Sequence, residues 1–113
     1  MNKFILGFLV TVSALLTCTA ALATNVWKNS MEVTGVMNTA DGGFIIQGPA
    51  GIAPECNGGN GFNVRANQNS LTIDGVKAAL AIALSAFSIG KPVTLLYDNA
   101  NSTCYVQIVQ ITS

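Results

Sequence analysis

The fold is decided by residues 74–98, DGVKAALAIALSAFSIGKPVTLLYD, which predict a capped helix, a glycine stop and a strand that enters a sheet. Asp74 suits the N-cap because its carboxylate can accept hydrogen bonds from the free amides of the first helical turn. Gly90 suits the position after the helix because glycine enters the left-handed conformation without strain. We therefore expect a helix that stops at Gly90, followed by a strand over residues 92–97 with its proline at the first position.

Apolar residues cover almost the whole circumference of this helix. One stripe with spacings of three and four is expected to face the core, and it comprises Val76, Leu80, Ala83, Leu84 and Phe87. The opposite side is also small and apolar, and it comprises Ala78, Ala81, Ile82, Ala86 and Ile89. A helix of this kind is normally buried on two sides. Because so short a chain has little material to cover a second side, the pattern predicts contact between copies of the chain.

The N-terminus has the pattern of a secretory signal peptide. Residues 1–23 have one lysine near their start, continue with an apolar run and end in Ala-Leu-Ala, which fits a signal cleavage site. We expect cleavage after Ala23, which gives a secreted or periplasmic protein with no membrane span. A membrane anchor is the weaker alternative because the run is short and lacks a charged stop, and a lipoprotein at Cys18 is disfavoured by Thr17.

The mature chain, residues 24–113, is expected to be one domain of 90 residues with few charges. Loss of Lys3 with the signal leaves four basic and five acidic residues, a net charge of −1. No basic stripe is available for a phosphate backbone, so we expect no nucleic-acid partner.

Two cysteines remain after cleavage, Cys56 and Cys104. In an oxidising compartment, an even pair in a small domain predicts a disulfide. Closing a loop of about 48 residues stabilises the fold by about 4 kcal/mol in the chain-entropy model. A redox or nucleophilic cysteine is the alternative, but the chain has neither a CxxC spacing nor a histidine partner.

Strand and turn patterns fill the segment before the helix. A first strand over residues 26–37 contains Gly35, and a glycine inside a strand indicates a bulge or a sharp bend. Asp41-Gly42-Gly43 predicts a hairpin turn into a second strand at residues 44–47. Residues 48–61 hold two prolines and five glycines and are expected to form a loop. A third strand is expected to start at Phe62 and to continue brokenly through residues 71–73.

The last strand is predicted over residues 103–112, which completes an order of three strands, one helix and two strands. This is the order of the OB-fold, a five-stranded, partly open barrel with its helix between strands three and four. We therefore expect a mainly β domain, a small OB-fold barrel with one disulfide. The predicted bend in the first strand favours it over an open α+β sheet.

The sequence offers few candidate catalytic residues. The chain has no histidine, so neither a Ser-His-Asp triad nor a His-rich metal site can be assembled. Asp41, Asp74 and Asp98 are assigned to turns and a cap. Glu32 and Glu55 suit a glycosidase pair by residue type, but nothing in the sequence brings them together. We predict no catalytic residues, no cofactor and no metal site.

A family resemblance rests on three segments. Residues 83–98, ALSAFSIGKPVTLLYD, resemble the helix end and fourth strand of the B subunits of subtilase cytotoxin and the related typhoid and pertussis-like toxins. Thr34-Gly35-Val36 resembles the Ser-Gly-Val of their first strand, and residues 44–48, FIIQG, resemble the end of their second strand. The resemblance implies an OB-fold, a homopentameric ring with the helices around a central pore, and binding of host cell-surface glycans that end in sialic acid.

Carried over by position, the resemblance implies that Thr34 and Tyr97 correspond to a glycan-contacting serine and tyrosine of the family. Thr34 keeps the hydroxyl and adds a methyl group. The Cys56–Cys104 pair is not a clear feature of the family. The resemblance implies a receptor-recognition (B) subunit of a multimeric toxin, with a catalytic A subunit as a further partner. A stand-alone exported structural or interaction protein on the same barrel is the alternative.

Overall fold

The structure is a computed structural model that describes residues 24–112, so the signal peptide predicted at residues 1–23 lies outside the described residues. The described range is a small, mainly β domain with one α-helix and one disulfide. Its elements are β1 (Asn25–Met31), β2 (Gly35–Asn38), β3 (Phe44–Gln47), β4 (Gly61–Val64), α1 (Ile73–Ile89), β5 (Val93–Asp98) and β6 (Val106–Ile111).

The strands form two three-stranded antiparallel sheets, ordered β1-β5-β6 and β2-β3-β4. At one end, the chain passes from the first sheet to the second through residues 32–34. Elsewhere, a single parallel bridge joins Asn63, on β4, to Tyr105, which immediately precedes β6. Among residues 24–112 the two sheets do not form a closed barrel.

The predicted first strand is divided into β1 and β2. Its bend begins at Ser30, which has a positive φ of 50°, and the pairing with β5 is irregular between Lys28 and Met31. Gly35 starts β2, where a Cβ would lie 2.5 Å from Oε1 of Gln47. The predicted bend in this segment is therefore present, but it begins before Gly35 and not at it, and Gly35 lies in β2.

The helix begins two residues earlier than predicted. Thr72 is the N-cap, since its backbone is extended and its hydroxyl accepts a hydrogen bond from the Gly75 amide. Asp74 lies inside the first turn, so its predicted capping role is wrong. The predicted end is confirmed because Gly90 is left-handed, with a φ of 72°, and its amide donates to the carbonyl of Ala86.

The buried face of α1 is narrower and smaller than predicted. Its buried residues are Val76, Ala79, Ala83 and Ala86. Leu84 and Phe87, which were expected in the core, are exposed, whereas Ala86, which was expected outside, is fully buried. The periodicity could not select the inner face because the helix is apolar nearly all round. The structure buries mainly its small side chains, which allow close approach to the sheets.

The core lies between the two sheets and the helix. Its largest fully buried side chains come from β3, β4 and β5 and include Phe44, Phe62 and Tyr97. The rings of Phe62 and Tyr97 meet edge to face, with their centroids 4.9 Å apart. The predicted continuation of the third strand through residues 71–73 is wrong, because the chain turns after β4 and Ile73 already belongs to α1.

Candidate functional site

Both residues of the predicted glycan site bond to one loop, residues 48–60, which we call the anchored loop. It lies between β3 and β4 and contains a short 3-10 turn, Asn57–Gly59. The amide of Gly48 donates to the carbonyl of Asn60 across the base of the loop, at 3.0 Å. Gly48 itself packs so closely that a Cβ would lie 2.5 Å from the sulfur of Met31. The loop is therefore closed at its base and rests on the core.

Tyr97 lies on β5 with its side chain in the core, and the residue is only 2% exposed. Its hydroxyl donates a 2.6 Å hydrogen bond to Oε2 of Glu55 on the anchored loop. Its ring packs in a T-shaped arrangement with Phe62 and belongs to the buried core. Because a sugar would need the ring face, the buried phenol does not offer the flat apolar surface expected of a glycan-contacting tyrosine.

Thr34 lies in the connection between β1 and β2 and is exposed. Its hydroxyl donates to the carbonyl oxygen of Gly48 at 2.9 Å. The same carbonyl accepts a second hydrogen bond, from the side-chain amide of Asn60 at 2.8 Å. The Thr34 amide also donates to the carbonyl of Gln47. Thr34 is therefore part of the hydrogen-bonded base of the loop.

The predicted disulfide between Cys56 and Cys104 is confirmed, with a Cα–Cα distance of 5.6 Å. It joins the anchored loop to the segment that precedes β6. Lys28 adds a further attachment, since its ammonium group donates to the carbonyl of Ile52 at 2.9 Å. The loop is thus attached to the rest of the domain by one covalent bond and by three side-chain donors: Lys28, Thr34 and Tyr97.

The electrostatics of the Tyr97–Glu55 pair follow from this geometry. The hydrogen bond from Tyr97 lowers the pKa of the Glu55 carboxyl, and the positive charge of Lys28 contributes in the same direction. Burial raises the pKa of the Tyr97 phenol, and its bond to the Glu55 carboxylate raises it further. The pair therefore consists of a neutral phenol that donates to an ionised carboxylate at neutral pH.

The structure brings Thr34 and Tyr97 to the same loop but gives their hydroxyls no common partner among residues 24–112. Each hydroxyl donates to a different loop residue, Gly48 for Thr34 and Glu55 for Tyr97. A direct role of either residue in glycan binding stays a prediction. What the geometry establishes is that both hydroxyls position the anchored loop.

Sequence reasoning missed Glu55 as the partner of Tyr97. One signal was available, because Glu55 precedes Cys56, and the predicted disulfide carries this part of the loop toward Cys104. The side-chain contacts of Lys28 and Asn60 carry no comparable sequence signal, since both are to backbone carbonyls.

A second feature is an apolar surface on α1. Ile73, Leu84 and Phe87 lie on one side of the helix and are 63%, 45% and 48% exposed. Leu80, which is half-buried, lies between them at helical spacing. We call these four residues the helix stripe. Grouped, exposed apolar side chains of this size are typical of interaction surfaces, whereas single scattered ones are ordinary.

A further apolar row crosses the outer face of the first sheet. Trp27 pairs with Leu96, and Leu96 pairs with Ile108, so the three side chains lie side by side across β1, β5 and β6. Trp27 and Ile108 are exposed and Leu96 is half-buried. Ile108 also borders a shallow groove between β6 and Ile82 of α1. We call Trp27, Leu96 and Ile108 the sheet row.

Residues 24–112 bring no three His, Cys, Asp or Glu side chains together as a metal site requires. No helix within them is long and apolar enough to span a membrane.

No family model matches the chain, and no curated protein matches it.

Proposed function

We propose that the mature chain is a secreted receptor-recognition (B) subunit of a subtilase-cytotoxin-like multimeric toxin, which assembles into a homopentameric ring and binds sialylated glycans on host cells. The observation that carries the proposal is the helix stripe, because a 90-residue domain leaves three large apolar side chains on one side of its helix in water. Other copies of the chain are the partner expected to cover it. In this role the protein is not an enzyme, and a separate A subunit supplies catalysis.

The proposal includes an OB-fold. Its support is the order of three strands, a helix and two strands once β1 and β2 are counted as one bent strand. The parallel bridge from Asn63 to Tyr105 adds support. The bend joins the two sheets at β1 and β2, and the bridge joins them at their other edges, β4 and β6. In an OB-fold, contacts of this kind close the barrel.

Ring assembly is supported by the presence of two different apolar surfaces. A closed ring needs a heterologous interface, in which one surface of each subunit contacts a different surface of the next. The helix stripe and the sheet row are separate surfaces on different elements, so they suit this requirement. Charged residues would oppose close contact between copies, and the mature chain has few of them.

A specific observation favours the second candidate, a stand-alone exported structural or interaction protein. The hydroxyls of Thr34 and Tyr97 are used within the fold, and the Tyr97 ring is buried. If these residues only hold the anchored loop, the resemblance extends to the barrel and not to its sugar contacts.

One experiment on the purified mature protein separates the two candidates. Light scattering at tens of micromolar should give a mass near five mature chains, and a glycan array should show binding to sialylated glycans but not to their desialylated counterparts. A monomer would contradict the ring. An assembled protein that binds no glycan would contradict the recognition role and favour the second candidate.

A further inference from the structure

We propose that a groove beside the β2–β3 turn binds an anionic sugar through its carboxylate group. The groove has a volume of about 510 Å³ and lies between the turn at residues 41–43, the segment at residues 65–68 and the first turns of α1. This volume is within the range of small-molecule sites. The inference rests on the proposed glycan-binding function and gives it a site separate from Thr34 and Tyr97.

Two cations line this groove. They are Arg65 and Lys77, and Asp41 is the one acidic residue in the lining, so the lining carries a net charge of +1. The chain after the predicted cleavage site has only four basic residues, and half of them meet here. A sparsely charged protein therefore concentrates its positive charge at a concave surface, which favours an anionic ligand.

The Arg65 side chain lies beside the carboxylate of Asp41, on the β2–β3 turn. Its Nε lies 3.4 Å from Oδ2 of Asp41. The Asp41 carboxylate is oriented in turn by hydrogen bonds from the hydroxyl of Thr39 and the amide of Gly43. Gly43 also makes room for the arginine, because a Cβ there would lie 2.9 Å from Cγ of Arg65. The turn thus places an oriented carboxylate beside the Nε edge of the guanidinium.

The rest of the guanidinium is available to a ligand. Arg65 is 35% exposed, its buried Nε makes no hydrogen bond within residues 24–112, and its one ionic contact there is with Asp41. A guanidinium presents its donors as a planar fork that matches the two oxygens of a carboxylate. Lys77 is exposed, also lines the groove and supplies a second positive charge. A carboxylate in the groove would be attracted by both charges.

The remaining lining suits the rest of a sugar ring. Asn67 and Gln68 provide side-chain amides, which can donate to and accept from hydroxyl groups. Val76 adds apolar surface to the lining, which suits a C–H face of the ring. The segment is fixed by the hydrogen bond from the Asn67 amide to the Leu71 carbonyl, at 2.7 Å.

The test is a titration of the ¹⁵N-labelled mature protein, followed by amide chemical shifts. The probes are sialyllactose, lactose and sulfated lactose at the same concentrations. Sialyllactose should shift the amides of Gly43, Asn67 and Lys77, and lactose should not. Arg65→Gln and Lys77→Gln should each weaken sialyllactose binding at least about tenfold, because each removes a charge-assisted contact. Lys91→Gln, which removes a charge outside the groove, should bind like the parent.

The outcomes are distinguishable. If the parent binds sialyllactose and neither variant is weakened, or if the shifts lie elsewhere, the groove assignment is overturned and the proposed function stands. If the parent binds no sialylated probe, both are overturned. Sulfated lactose that binds as tightly as sialyllactose would overturn the assignment of a carboxylate and indicate a general anion site. Lys77 is exposed, so Lys77→Gln provides a folded variant even if Arg65→Gln unfolds.

Discussion

The hydroxyl of Tyr97 donates to the Glu55 carboxylate at 2.6 Å, and this bond ties the anchored loop to the core of the first sheet. The same tyrosine packs its ring against Phe62 of the second sheet. One side chain therefore joins three parts of the molecule: β5, β4 and the loop. A change at Tyr97 that alters glycan binding would act through the loop as well as through any direct contact, so its effects on stability and on binding must be measured together.

We expect Tyr97→Phe to lower the free energy of unfolding by about 1 kcal/mol, because the ring packing is kept and one hydrogen bond to the partly exposed Glu55 is lost. Urea unfolding at neutral pH measures the change. Tyr105→Phe is the matched control, since the Tyr105 hydroxyl makes no hydrogen bond within residues 24–112 and its loss should change little. Equal effects of the two variants would contradict the importance of the Tyr97–Glu55 bond.

The pH dependence of stability should change in the same variant. The bond from Tyr97 lowers the pKa of Glu55 in the folded state. The folded state therefore favours the ionised carboxyl, and this stabilisation is complete above the unfolded pKa of about 4.3 and is lost as the pH falls below it. The difference in unfolding free energy between the parent and Tyr97→Phe should thus shrink between pH values of about 6 and about 3. A constant difference would contradict this coupling.

The disulfide should contribute more than any single hydrogen bond. Replacing both Cys56 and Cys104 with alanine opens a loop of 48 residues, and the chain-entropy model gives a loss of about 4 kcal/mol. Thermal unfolding of the double variant beside the parent measures the loss. The parent treated with a reducing agent is the control and should behave like the double variant. A double variant as stable as the oxidised parent would show that the loop is held by its hydrogen bonds alone.

The sequence predicted those parts of the fold that depend on a local signal. Gly90 ended the helix because a left-handed residue was needed there, and the 41–43 turn and the disulfide followed from residue type and compartment. The inner face of α1 was not predictable in the same way, since apolar residues on both sides gave the periodicity no contrast. The partners of Thr34 and Tyr97 lie 14 and 42 residues away, and only the folded chain brings them together.

The corrected face of the helix gives a prediction for core packing. Ala83 is fully buried against the sheets, so Ala83→Leu should destabilise the domain by about 1–3 kcal/mol through overpacking. Ala81→Leu is the matched control, because Ala81 is exposed on the same helix and the same substitution there should cost less than about 0.5 kcal/mol. Urea unfolding measures the stability of both variants. An Ala83→Leu variant as stable as the parent would show that Ala83 is not closely packed.

Assembly should depend on the helix stripe and not on the helix as a whole. Phe87→Glu places a charge in the stripe, and because Phe87 is 48% exposed in the single chain, the variant should fold normally. Burial of an unpaired charge in an interface is strongly unfavourable. The homopentamer should therefore dissociate in this variant, and light scattering should give the mass of a monomer. Ser85→Glu adds the same charge at an exposed position outside the stripe and should assemble like the parent. If Phe87→Glu keeps the parent's mass, the helix stripe is not the interface. If Ser85→Glu loses assembly as Phe87→Glu does, the added negative charge, and not its position in the stripe, causes the loss.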